Sequence, residues 1–276
     1  MPLNIRRLQA EDLLALGALL VENPVRHSFI SSRLEVLGPQ AVALQGFLGA
    51  FDGDDLHSAL MLGANLVPIS TTQESRQGFA DAIVMFRERC LSLVGPQAEV
   101  LDLWNMLESP WGKARDVRAE QPFFSTSTPS PLQIDDQVRY SHIGDLETLF
   151  PACVAMFTEE VGISPLTNRP SAYRQRVNEL VTTRRSFIRC DGDTVVFKAE
   201  VGSIGNGVAQ LQGVWVNPDY RGRGIAAPAI AAVVRYVLQD MASVVSLYAN
   251  VYNTRAVAAY KRVGFEQTDT FASVLL

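Results

Sequence analysis

The sequence predicts an α/β protein made of two related α/β units in tandem. Asp-Gly sits between two strand-forming runs twice, at Asp52-Gly53-Asp54 and Asp191-Gly192-Asp193, and that arrangement signals a β-hairpin. Ile5-Arg6-Arg7 and Asp12-Leu13 match Val138-Arg139-Tyr140 and Asp145-Leu146 at an offset of 133, while Asp52-Gly53-Asp54 and Gly63 match Asp191-Gly192-Asp193 and Gly202 at an offset of 139. Asp-Gly alone is common at turns. Two offsets in the same order, differing by a small insertion, point to a duplicated unit. Stretches of helical period alternate with β-branched runs in the second half, which is the pattern of an α/β unit.

The 276 residues, 47% of them apolar, suffice for one large or two small domains. A formal net charge of −5 argues against broad nucleic-acid binding, which needs a basic surface. Cys90, Cys153 and Cys190 are sparse and widely spaced, which suits a reducing compartment. No cysteine pair has metal-ligand spacing, and with three histidines in the chain no metal is expected. The opening MPLNIRRLQAEDLLALGALL lacks the small-residue cleavage site of a signal peptide. Apolar runs are short and broken by charge, so no membrane span is expected. The expectation is a soluble cytoplasmic protein.

The clearest break is Gln121 to Pro131, QPFFSTSTPSP, rich in the residues that connect domains. It divides the chain into a first domain at 1–124, a linker at 125–135 and a second domain at 136–276. In the second, Leu146 to Glu160 places Leu146, Leu149, Val154 and Phe157 at helical spacing, and Ser171 to Thr182 also reads as helix. Ser186 to Ile204 reads as two strands around Asp191-Gly192, and Val208 to Val216 as a strand ended by Asn217-Pro218. A helix follows from Ile225 to Met241, with Ile230, Val233, Val234, Val237, Leu238 and Met241 on its apolar face. Val244 to Tyr248 is a β-branched strand. Thr254 to Val263 is a helix capped by Asn253 or Thr254 and stopped by Gly264, and Phe265 to Leu276 alternates as a final strand or hairpin.

The chemistry concentrates at Arg221-Gly222-Arg223-Gly224-Ile225-Ala226. Here a strand ends, the chain turns through two glycines, and a long helix begins. Glycines let backbone approach a ligand, and the first helical amides point outward at the positive end of the helix dipole. That combination holds a pyrophosphate. Pro228 falls in the first turn, where a missing N–H costs nothing. A glycine turn before a helix is otherwise a plain connection; two arginines within it tilt the reading to anion binding.

LQGVWVNPDYRGRGIA, Leu211 to Ala226, resembles the strand-loop-helix of GNAT (GCN5-related) acetyltransferases, where Q/R-x-x-G-x-G/A binds the pyrophosphate of acetyl-CoA; Arg221, Gly224 and Ala226 stand at those places. Asn253-Thr254-Arg255-Ala256 and Tyr260-Lys261-Arg262-Val263-Gly264-Phe265 resemble the family's N-x-x-A…Y-x-x-x-G-F segment. The resemblance covers Asp136 to Leu276. Ser70 to Phe79, STTQESRQGF, has no G-x-G, so the first half resembles a degenerate copy that has lost its cofactor site. The whole is similar to tandem actinobacterial acetyltransferases with a GNAT-like N-terminal domain. The implied fold is two GNAT-like domains, each a mixed, mostly antiparallel twisted sheet flanked by helices.

The resemblance implies acetyl transfer from acetyl-CoA to a primary amine by direct attack, with small-molecule and peptide amines both open as acceptors. It implies that Val214, Trp215 and Val216 pair with the pantetheine arm and that the Val216 N–H polarises the thioester carbonyl. Gly222, Arg223, Ile225 and Ala227 complete the pyrophosphate loop. Tyr260 matches the tyrosine that protonates the departing thiolate and also lines the cofactor. Asn253 would contact the pantetheine arm or simply cap its helix, and Arg255 would reach a CoA phosphate or stay solvated. Carboxylates that some members use as base are replaced here by Gln212 and Tyr248. Glu159 and Glu160 on the early helix, and Glu200 in an apolar strand, are the candidate bases; surface exposure, or for Glu200 pairing with Lys198, is the alternative for each. Two other readings stand beside this one. The chain is a non-catalytic acyl-CoA sensor, or its first half is a partner-binding or homodimerising module using Trp104, Trp111 and Phe123-Phe124, residues that could equally pack the halves together.

Overall fold

The structure is a computed structural model that describes residues 3–37, 44, 46–167 and 170–276. One sequence of elements occurs twice. Its first pass is β1 (Asn4–Arg7), α1 (Leu13–Glu22), α2 (Ser28–Leu37), β2 (Phe47–Asp52), β3 (Asp55–Met61), β4 (Asn65–Ile69), α3 (Gln73–Ile83), β5 (Ser92–Pro96), α4 (Gln97–Trp111) and β6 (Asp116–Thr126). Its second is β7 (Arg139–Tyr140), α5 (Leu146–Val161), α6 (Pro170–Thr182), β8 (Ser186–Asp191), β9 (Thr194–Gly205), β10 (Val208–Val216), α7 (Ala226–Asp240), β11 (Val244–Tyr248), α8 (Thr254–Val263) and β12 (Glu266–Leu275).

The residues that matched at the first offset do the same work in both copies. Arg6 forks onto Asp12 at 2.6 and 2.8 Å, and Arg139 forks onto Asp145 at 2.7 and 2.8 Å. Each aspartate also accepts a backbone N–H three residues back, from Gln9 at 2.7 Å and from His142 at 2.8 Å. The guanidinium holds each carboxyl below the usual range. The two Asp-Gly pairs close β2–β3 and β8–β9, with Gly53 and Gly192 at φ +60° and +56°, where a Cβ is disfavoured.

The chain forms two compact units: residues 1–124 with 248–254 and 267–276, and residues 125–247 with 255–266. In the first, the strand order is β1-β2-β3-β4-β5-β12-β6, with β4 and β5 parallel and β12 antiparallel to β5 from Phe271↔Pro96 to Leu275↔Ser92. The last strand of the chain therefore serves the first unit, which differs from the expectation of two consecutive domains. Its Ala272 and Val274 share a core with Leu93, Trp104 and Trp111. The physical reason is that period-2 alternation specifies a strand and its two faces, whereas the edge it joins is set by tertiary packing. Gln121 to Phe124, expected in a linker-like break, are a buried part of β6. Trp104, Trp111, Phe123 and Phe124 are all buried, with Trp111 Nε1 donating to the Val84 carbonyl at 2.7 Å, so the partner-surface reading of these residues is corrected to core packing.

In the second unit the order is β11-β10-β9-β8-β7, parallel only between β10 and β11. Leu149, Cys153 and Met156 of α5 pack with Val177 and Val181 of α6 and with Ile188, Val195 and Trp215 of the sheet. Helix α7 buries Ile230, Val233, Val234 and Val237, positions picked out by the 3.6-residue spacing.

Candidate active site

Strand β10 is irregular where chemistry is expected. Its register with β9 passes from Gln212↔Glu200 to Trp215↔Lys198, so Gly213 and Val214 together oppose Ala199 alone. This is a β-bulge, a device that re-aims backbone beside functional sites. Gly213 adopts φ +57°. A Cβ there would also lie 2.9 Å from Met156 Cε and 3.0 Å from Lys198 Nζ, so glycine is required by space as well as by conformation. Parallel pairing with β11 stops at Gln210↔Ser246, and among the described residues no strand pairs with Leu211 to Val216 on that side. Asn217 donates to the Val196 carbonyl at 2.9 Å. In an antiparallel ladder successive residues face opposite edges, so the Val216 N–H points away from β9 into this gap. At Val214, Trp215 and Val216, the residues expected to meet the cofactor arm, the Val216 N–H lies on the edge turned from β9 and the Trp215 N–H is turned to β9.

Residues 217–225 lead to α7. Asn217 Oδ1 accepts from Asp219 N at 3.1 Å and starts a short turn, after which Gly222 and Gly224 stand at φ +78° and +75°. A Cβ built at either glycine meets no heavy atom within 4 Å, so the loop's outer surface is open. Ile225 offers no side-chain cap, and among the described residues no hydrogen bond takes up the amides of Gly222, Gly224 or Ile225. Ala226 follows at the helix start, and the Ala227 side chain is buried beneath it. Arg223 donates to the Asp219 carbonyl at 2.8 Å and lies over the Tyr220 ring at 4.9 Å. Arg221 reaches the Val216 carbonyl through Nε at 3.0 Å and Glu159 through Nη2 at 2.7 Å. An open turn of unpaired amides flanked by guanidinium groups is suited to a diphosphate.

The equivalent place in the first unit is shut. Residues 70–72 join β4 to α3, and Thr72 caps the helix by accepting from Ser75 N at 3.2 Å while its own N–H donates to Ser75 Oγ at 2.9 Å. The buried Glu99 carboxylate accepts the Thr71 N–H at 2.8 Å and its hydroxyl at 2.6 Å. The protein's own carboxylate thus sits where an anionic ligand would be held.

The three candidate carboxylates have different surroundings. Glu200 is buried against Lys198 Nζ at 2.6 Å, accepts from Gln212 Nε2 at 3.4 Å, and meets Cys153 Sγ at 3.5 Å. Burial is the largest influence on the Lys198 ammonium and lowers it, but the charges and hydrogen bonds of Glu200 and Cys153 together outweigh burial and hold the group above the usual lysine range. Burial pushes the Cys153 thiol up to about 12. Glu159 accepts from Arg221 and from Trp215 Nε1 at 3.2 Å; the Arg221 bond chiefly holds its carboxyl below the usual range. Glu160 is exposed and its charge acts on Tyr260. Tyr260 is 6% exposed and edge-on to Phe265 at 6.0 Å between centroids. Burial first, and Glu160 second, raise its phenol well above the usual tyrosine range, so it is neutral at physiological pH.

A surface cleft of about 920 Å³ opens in the second unit between α5, the start of β9 and the end of β10. Glu159, Asp193, Trp215 and Asn217 line it; among the described residues no lysine or arginine does, and neither does Tyr260. Arg255 is exposed at the start of α8, and Asn253, just before it, groups with the first unit. Sequence reasoning missed Gly213, whose place inside a strand pattern was a bulge signal. It also missed Glu159 as the ion-pair partner of Arg221, 62 positions away, whereas the pairing of Glu200 with Lys198 was among its alternatives.

Comparison with known proteins agrees with this geometry. Residues 154–265 match the Acetyltransferase (GNAT) family, and residues 46–149 match a domain of unknown function, DUF4081. An uncharacterized N-acetyltransferase of Methanocaldococcus jannaschii is 33% identical over 85 residues, 30% of this chain and 34% of that protein. The match spans about a third of that relative's length. Among solved structures, a GNAT-family acetyltransferase from Colwellia psychrerythraea has a TM-score of 0.58 at 12% identity and covers 99% of both chains. A tandem GNAT protein from the clavulanic acid biosynthesis pathway has a TM-score of 0.53 at 13% identity, covering 98% of both. These structures share the fold of the whole chain. Residues 154–265 form a domain of the GNAT acetyltransferase family.

Proposed function

We propose that this protein is an N-acetyltransferase that moves the acetyl group of acetyl-CoA to a cationic primary amine by direct attack. The observation that carries the reading is the open loop where, among the described residues, the amides of Gly222, Gly224 and Ile225 have no acceptor, beside a strand whose Val216 N–H is turned from β9 toward the splay from β11. The loop amides, with Arg221 and Arg223, bind the diphosphate, and Ala226 and Ala227 let it approach the helix start. The gap along Val214 to Val216 takes the amide-bearing arm as a sheet edge takes another strand. The Val216 N–H donates to the thioester oxygen as charge develops there.

Two carboxylates are engaged elsewhere, Glu200 with Lys198 and Glu159 with Arg221. Glu160, exposed on α5 with its charge reaching Tyr260, is assigned as the base that frees the amine, acting through water. The neutral Tyr260 phenol gives its proton to the departing thiolate. A cationic acceptor fits the cleft, which carries Glu159 and Asp193 and, among the described residues, no basic side chain.

Thiol release from acetyl-CoA across a panel of primary amines tests the activity. With the best amine, Tyr260→Phe should lower turnover about a hundredfold, the low end of what a positioned acid contributes, and leave the dissociation constant of acetyl-CoA nearly unchanged. An unaltered rate removes Tyr260 from the chemistry.

A further inference from the structure

We infer that Glu159 is a built-in competitor of the cofactor diphosphate for Arg221, and that its displacement supplies the acceptor cleft with a second carboxylate. The inference rests on the reading that the Arg221–Ala227 loop holds a diphosphate. Among the described residues, Arg221 is the loop arginine paired with a side-chain carboxylate, whereas Arg223 donates to a backbone carbonyl. Its Nη2 lies 2.7 Å from Glu159 Oε2, and both side chains are reachable from solvent, at 38% and 50% exposure. A diphosphate carries more charge than a carboxylate and accepts the same planar fork of donors, so the two cannot both hold this face of the guanidinium. Among the described residues, Glu159 is otherwise secured by Trp215 Nε1 alone, at 3.2 Å, and Trp215 itself lines the cleft.

Glu159 therefore stands at the junction of two sites. On one side it neutralises the loop; on the other it borders the cleft together with Asp193. Diphosphate binding frees the carboxylate to face a cationic amine. By reciprocity, a bound amine that draws Glu159 away leaves Arg221 to the diphosphate, so each ligand tightens the other. Glu159 is in this view a specificity-determining residue of the acceptor cleft, silent until the cofactor arrives.

The test is calorimetric titration of the full chain with coenzyme A, for the wild type, E159Q, R221Q and the double variant. E159Q should bind roughly two- to fivefold tighter, the range expected from losing a half-exposed ion pair. R221Q should bind more weakly, and the double variant should match R221Q because the competition no longer exists. Equal or weaker binding by E159Q, with R221Q weakened, overturns the inference and leaves the function standing. Failure of the wild type to bind coenzyme A overturns the function itself. Should E159Q melt below the wild type, Glu159→Asp, whose shorter carboxylate cannot keep the contact, must give the same tightening. With an amine the wild type uses, E159Q should raise the KM for amine while lowering that for acetyl-CoA, opposite signs that general damage to the fold does not produce.

Discussion

Glu200→Leu should destabilise the protein by about 3–5 kcal/mol, the usual loss when one member of a buried ion pair is removed. Lys198 is 0% exposed, and among the described residues Glu200, 2.6 Å away, is the one carboxylate paired with its Nζ. Without that carboxylate the ammonium must either stay charged in an apolar strand or lose its proton, and both are costly. The pair also lies under the β10 bulge, since Lys198 and Glu200 are the register partners of Trp215 and Gln212 that bracket it. The double variant Lys198→Met/Glu200→Leu should recover stability to within about 1 kcal/mol of the wild type, because well-packed apolar replacements are often neutral. Urea denaturation read by circular dichroism measures both. A single variant as stable as the wild type contradicts the buried-pair account.

Gly224→Asp should weaken coenzyme A binding about a thousandfold. The substitution places a carboxylate on the open face of the loop, where the glycine at φ +75° has no neighbour within 4 Å. It repels the diphosphate and takes up the amides meant for it. Two charge-assisted hydrogen bonds lost at about 1.5–3 kcal/mol each give that factor, at 1.4 kcal/mol per tenfold. Gly224→Asn isolates the charge, because asparagine has the same shape and tolerates left-handed backbone. It should weaken binding far less. Affinity for the Asp variant within a few-fold of wild type would refute the loop assignment.

Local signals made much of this molecule legible. The Asp-Gly hairpins, the Arg-Asp repeat at 133 residues and the amphipathic α7 each follow from short-range chemistry, and each stands as expected. The loop was legible for the same reason: glycines, arginines and a helix start are contiguous. What sequence reading could not reach depends on partners far along the chain. β12 alternates as a strand should, but nothing in its pattern names β5 as neighbour. The pairing of Glu200 with Lys198, two residues away on the same face of β9, did stand among the alternatives because it is local. Glu159 and Arg221 stand 62 positions apart, beyond any local rule. In the first half, the absence of a G-x-G was visible, whereas the Glu99 carboxylate that occupies the anion position was not.

The most direct measurement is a ¹⁵N–¹H amide spectrum of the protein titrated with coenzyme A. Signals of Gly222, Gly224, Ile225 and Ala226 should shift downfield and saturate together, with Val216 added when acetyl-CoA replaces coenzyme A. Saturable binding that leaves those loop amides unmoved would contradict the account.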